Sequence, residues 1–225
     1  MRKIFRTFRF QNLKMGKIKN YIFYAIGEIL LVMLGILLAL YVSNWNEERK
    51  NRNEEKQVLT RIVKDLEQDL ISFNRDYTKK NKYLKKCLPG QEKSIKYDSL
   101  NHYLNNYFAF FKTNASYIGL KDGGKLSIIK DENLKANLIT YYERQYDILL
   151  SFAAFHKSYH NEQVIPTLLS IPRTENRVVK LDLADSEIKK LFRVIEYQVD
   201  VNDWIKLHLE SSENLAKEII EQISK

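Results

Sequence analysis

Chain breakers are scarce in this sequence. Its 225 residues hold seven Gly and three Pro, and three long stretches (36–88, 125–165 and 173–225) contain neither. Gly and Pro are the usual punctuation of turns. Stretches this long without them exclude a loop-rich or many-stranded fold and favour long helices. The single Cys, Cys87, excludes an internal disulfide, and a chain of this size buries enough core to stand without one. No internal repeat and no low-complexity linker occurs. Acidic residues are missing from residues 1–20, where Arg2, Lys3, Arg6, Arg9, Lys14, Lys17 and Lys19 stand alone. With those seven and Glu28 set aside, the net charge of +9 falls to +3. The basicity thus sits at one end, which argues against a nucleic-acid-binding domain.

Residues 21–42 form an apolar run with one charge, Glu28. As a helix this run extends roughly 33 Å, enough to cross a bilayer core. It is too long for the apolar part of a signal peptide, and "LLALYVSNW" offers no pair of small residues at cleavage spacing. An uncleaved anchor is the expectation. The seven cations ahead of it place the N-terminus in the cytoplasm and the bulk of the chain outside, the periplasm of a Gram-negative cell. Tyr21, Tyr41 and Trp45 suit the interfacial belts at the two ends. Residues 1–20 then read as a basic cytoplasmic arm, lying on the anionic leaflet or serving only to set topology.

A basic start followed by "YAIGEILLVMLGILLAL" and "NWNEERK" resembles an uncharacterised family of bacterial single-span membrane proteins. "LKDGGKLSIIKDENLKANLITYYE" (120–143) resembles an internal pattern of that family, with Gly123 and Tyr41 where Ser and Gln are expected. The resemblance implies a bacterial envelope protein and supplies no catalytic residues.

Beyond the run, the periodicity is helical. Leu59, Ile62, Leu66, Leu70, Phe73, Tyr77 and Leu84 mark a first helix over 43–86, open to continuity with the span. Asp98 or Ser99 caps a second, through "LNHYLNNYFAFF" to about Leu120 with a break near Asn114. Asp131 caps a third, striped by Leu134, Leu138, Tyr142, Ile148, Leu149, Phe152 and Phe155. A loop with an extended piece at 178–183 leads to Asp185 or Ser186, which caps a fourth. The expected fold is all-α: a transmembrane helix (21–42) followed by an antiparallel bundle of about four long helices (43–225). A coiled-coil hairpin dimer is the structural alternative.

Glu28 has the strongest claim to a role. An acid roughly 5 Å from the centre of a span is costly and marks a functional position by default. Tyr24, Leu31, Gly35 and Ala39 share its helical face, and Gly35 and Ala39 form a small-xxx-small pair that lets another helix approach. This face is read as a contact with a second copy or a membrane-protein partner, or else as a proton relay beside a multi-span partner. His156 and His160, four apart, could present two nitrogens to a metal, but no third ligand stands at metal-site spacing. Lys85 and Lys86 beside Cys87 would lower its pKa, yet no base accompanies it. "KDGGK" lacks phosphate-loop spacing and reads as a helix-ending turn. No metal or cofactor is implied. The expected partners are the lipid bilayer and another copy or membrane protein. Nine tyrosines of the bundle, Tyr117, Tyr141, Tyr142 and Tyr146 among them, leave a ligand pocket open as an alternative. The reading is a non-enzymatic anchored interaction protein of the bacterial inner membrane. A periplasmic ligand-sensing module and an accessory subunit of a proton-driven machine using Glu28 are the alternatives.

Overall fold

The computed structural model describes residues 15–225, and for 15–21 and Tyr24 the backbone only. Arg2, Lys3, Arg6, Arg9 and Lys14 lie outside the described residues, as do the side chains of Lys17, Lys19, Tyr21 and Tyr24. Two compact units divide between Glu54 and Glu55. The fold is all-α, with one small two-stranded sheet.

The elements are α1 (Met15–Phe73), α2 (Tyr77–Lys86), β1 (Ser94–Lys96), α3 (Tyr97–Leu104), α4 (Ala115–Asp122), α5 (Glu132–Ile139), α6 (Tyr146–Tyr159), α7 (Ile165–Ser170), β2 (Val178–Lys180) and α8 (Ser186–Ser224). Two π-helical turns, Thr140–Gln145 and His160–Val164, join α5, α6 and α7 into one helical run. The second has a visible cause. Pro166 has no N–H and its ring crowds the carbonyl four residues back, so the helix widens just before it. Up to the unit boundary, α1 carries the apolar run to Val42 and then a charged stretch, and its described side chains are almost all exposed.

Two of the three caps read from the sequence are present. Asp131 accepts from the Asn133 and Leu134 amides, and Asp185 from those of Glu187 and Ile188. "KDGGK" closes α4 as a turn: the Gly124 amide donates to Lys121 O and the Lys125 amide to Leu120 O. Gly124 has φ +66°, and a Cβ on Gly123 would stand 2.9 Å from Gly119 O, so both positions require glycine.

Three expectations needed correction. The first helix does not run unbroken to Lys86: the chain leaves the helix at 74–76, where Asp76 caps α2 by accepting from the Lys79 amide at 2.7 Å. "LNHYLNNYFAFF" is helical only to Leu104. Past it, Phe108 and Phe110 are buried while Phe111 is 80% exposed, the alternation of extended backbone, and burial of the two rings outweighs local helix propensity. The helix here starts at Tyr97, before Asp98, because that residue pairs with Arg177 across the turn at 2.6 Å. The extended piece at 178–183 pairs as β2 with β1, Ile95 opposite Val179.

Within residues 55–225 the core has two apolar clusters. One joins α1 from Val58 onward with α4, α5, α6 and the second half of α8; the other joins α2, the sheet, α3, α7 and the first half of α8.

Candidate functional site

The face carrying Glu28 is bare. Glu28, Gly35 and Ala39 are exposed, Leu31 is 72% exposed, and no atom lies within 4 Å of a Cβ built on Gly35. Tyr41 and Trp45 are exposed as well. One 18-residue stretch here has mean hydropathy 2.5 and none of it is buried. Among the described residues, this is one helix long and apolar enough to cross a membrane.

In the domain, polar groups are gathered at two buried places. In the first, Asp69 is fully buried. Its Oδ2 accepts from Tyr141 Oη at 2.9 Å and from Tyr146 Oη at 2.5 Å, and Oδ1 has no partner. Burial nonetheless dominates and holds the Asp69 carboxyl above its ordinary range. The π-turn builds this cage. At about 4.4 residues per turn, against 3.6 in an α-helix, Tyr141, Tyr142 and Tyr146 fall on a narrower arc and all three face inward. Tyr142 stacks on Tyr117 at 4.7 Å. Burial pushes the Tyr141 and Tyr146 phenols far up, so both remain donors.

The second place lies where the two apolar clusters meet along α8. His156 Nδ1 accepts from the Phe108 amide at 3.0 Å, which leaves its proton on Nε2 to donate to Gln198 Oε1 at 3.0 Å. Gln198 donates to Asn202, Asn202 to Asn81, and Asn81 to Asp203 Oδ1 at 2.6 Å. Burial lowers the His156 pKa to about 4, so the ring is neutral.

The extended segment 105–114 explains why these polar residues are inside. Its backbone has no helix or sheet to satisfy it, so side chains do: His160 at Asn105 O, Lys80 at Asn106 O, His156 at the Phe108 amide, Arg75 at Ala109 O and Tyr146 at the Thr113 amide. His156 and His160 thus engage separate backbone groups, and among the described residues no three potential metal ligands converge.

Cys87 is a further correction. Its thiol is fully buried and donates to Tyr83 O, and burial pushes its pKa up to about 11, the opposite of the lowering expected from Lys85 and Lys86. Asp69 and the Gln198–Asn202–Asn81 chain were missed in the sequence. A signal for Asp69 exists: it sits on the stripe of Ile62, Leu66 and Phe73, where an acid is out of place.

Two of the clefts on the domain surface are lined by aromatic side chains in numbers. One, of about 470 Å³, is apolar and lined by Ile148, Phe152, Phe155, Trp204 and His208, with Trp204 60% exposed. The other, of about 480 Å³, is lined by Arg75, Asp76, Lys79, Lys80 and the tyrosines Tyr103 and Tyr107, among others.

Residues 28–165, more than half of the chain, match a family of unknown function, DUF6090. The chain belongs to that family. The match begins at Glu28 and takes in the Asp69 cage, the basic cleft, His156 of the polar chain and His160, so these lie within the DUF6090 region. No curated protein and no solved structure matches the sequence.

Proposed function

We propose that this is a non-enzymatic, membrane-anchored protein of the bacterial envelope. Its single span crosses the inner membrane with the N-terminus in the cytoplasm. Its helical domain stands in the periplasm, and the protein oligomerises or binds partner proteins through span and domain. The observation that carries the reading is the wholly unburied apolar stretch of α1: a helix hydrophobic on all sides needs an apolar surrounding, and among the described residues none packs over it. The Glu28–Leu31–Gly35–Ala39 face is the contact within the bilayer. A carboxyl group there gains a hydrogen-bond partner from a second span, and glycine lets the backbones approach. The exposed aromatic cleft around Trp204 supports a protein partner for the domain, since exposed aromatics with one polar edge are typical anchors of interfaces.

Cross-linking in native membranes tests this reading. The natural chain should give a discrete dimer or a defined hetero-complex. Gly35→Leu and Glu28→Gln should reduce the span-mediated product, and Trp204→Ala any domain-mediated one. A chain that stays monomeric, with no cross-linked partner at either site, would refute the proposal.

A further inference from the structure

The basic cleft is unused by this reading and rests on separate observations. Arg75, Lys79 and Lys80 bring three positive charges to it, and Asp76 one negative charge. Asp76 is occupied, since its Oδ1 accepts from the Lys79 amide. None of the three cations forms an ion pair with a carboxylate among the described residues. With Asp76 counted, the cleft therefore holds two net positive charges.

Lys80 makes this more than a surface patch. It is only 9% exposed, yet its ammonium has one protein acceptor, Asn106 O at 2.6 Å, and otherwise faces the Tyr77 ring at 5.9 Å. An ammonium carries three donors. A buried cation without a counter-charge is costly, and burial, helped by the charge of Arg75, pulls the Lys80 pKa down to about 8. An anion in the cleft supplies the missing charge and acceptors. The walls are preformed: Tyr103 stacks on Tyr83 at 4.4 Å, and Tyr107 lies against the His160 ring at 5.0 Å. A cleft of about 480 Å³ falls in the size range of small-molecule sites.

We propose that this cleft binds a phosphate monoester, with the dianion held between Arg75, Lys79 and Lys80 and the organic body against Tyr103 and Tyr107. Two net positive charges match a dianion better than a carboxylate. The guanidinium fork of Arg75 and the ammonium of Lys80 are suited to phosphate oxygens. The same group occurs on soluble metabolites and on lipid headgroups, so both sources enter the test.

The test is calorimetric titration of the full-length protein in neutral detergent at pH 7.5. The ligands are phenyl phosphate, inorganic phosphate and dihexanoyl phosphatidic acid. Phenyl phosphate should bind saturably and about tenfold tighter than inorganic phosphate, because only the ester reaches the tyrosines. Phosphatidic acid binding tenfold tighter than phenyl phosphate identifies a lipid occupant; equal or weaker binding identifies a soluble ester. Lys80→Met and Arg75→Gln should each weaken binding about tenfold, and Lys189→Gln, outside the cleft, should leave it unchanged. Arg75 is exposed, so its variant keeps the test open if Lys80→Met fails to fold. The proposal is overturned if neither ester binds saturably, or if Arg75→Gln binds as well as the natural chain.

Discussion

The two ends of α1 are one helix written for two solvents. Between Ala25 and Val42 apolar side chains point in every direction, and Leu31 and Leu38 are 72% and 63% exposed. Charges return from Glu47, and after Glu55 they keep to one side while Val58, Ile62 and Leu66 disappear into the core on the other. Amphipathicity marks the part that folds against protein; hydrophobicity on all faces marks the part that does not. Each end also holds an acid on an apolar stripe. Asp69 is supplied with two phenol donors by its own chain, whereas among the described side chains none donates to Glu28, and that is the physical case for seeking its partner in another molecule.

The comparison breaks most visibly under charge. Leu34→Lys with Leu37→Lys adds about 5 kcal/mol or more to the cost of membrane insertion. It should release the protein from membranes in alkaline carbonate extraction while the helical circular-dichroism signal of the domain persists. Leucine truncation sharpens the contrast between the two ends. Leu66→Ala should lower the unfolding free energy of the domain by about 3 kcal/mol in urea, and Leu31→Ala should leave the same transition unmoved, since Leu31 touches no core.

A pH titration separates the domain's own two polar sites. Between pH 6.5 and about 4 the unfolded chain protonates at His156 and the folded chain does not, so stability falls as the pH drops through that window, by about 3 kcal/mol in total. Asp69 works the other way. Its raised pKa makes the folded chain hold a proton more tightly as pH rises above 3.8. The His156 contribution is therefore read as the difference between the natural chain and His156→Gln, in which the loss between pH 6.5 and 4 should vanish. The smallest effect is expected at the turn after α4, where Gly124→Ala forces a side chain into φ +66° and should cost about 1 kcal/mol.

Much of the fold could be read from the sequence because its signals are local. Asp131 and Asp185 announce their helices through side-chain chemistry at fixed offsets, and Gly123-Gly124 ends one through backbone freedom. The apolar stripes of the third and fourth helices reappear as buried faces at Leu134, Leu138, Ile188 and Ile195, whereas Phe155, expected on the same stripe, is 47% exposed. What could not be read is non-local. Helix propensity favours continuing past Leu104, and only the pockets awaiting Phe108 and Phe110 pull the chain straight. The polar residues that serve this straight segment come from positions 75, 80, 146, 156 and 160, and nothing in their spacing says that they share one client. The basic cleft was hidden for the same reason, since α2 and α3 meet there only after the break at 74–76. The placing of Glu28, Leu31, Gly35 and Ala39 on one face needs less, because it depends on one helix and its period alone.

The central claim is that α1 anchors the chain in the inner membrane with the helical domain outside. Its most direct test is protease treatment of intact spheroplasts bearing an epitope after Lys225. The expected result is loss of the epitope with the inner membrane unbroken, while the protein stays with the membrane fraction before digestion. An epitope protected until the spheroplasts are lysed, or a protein recovered in the soluble fraction, would contradict it.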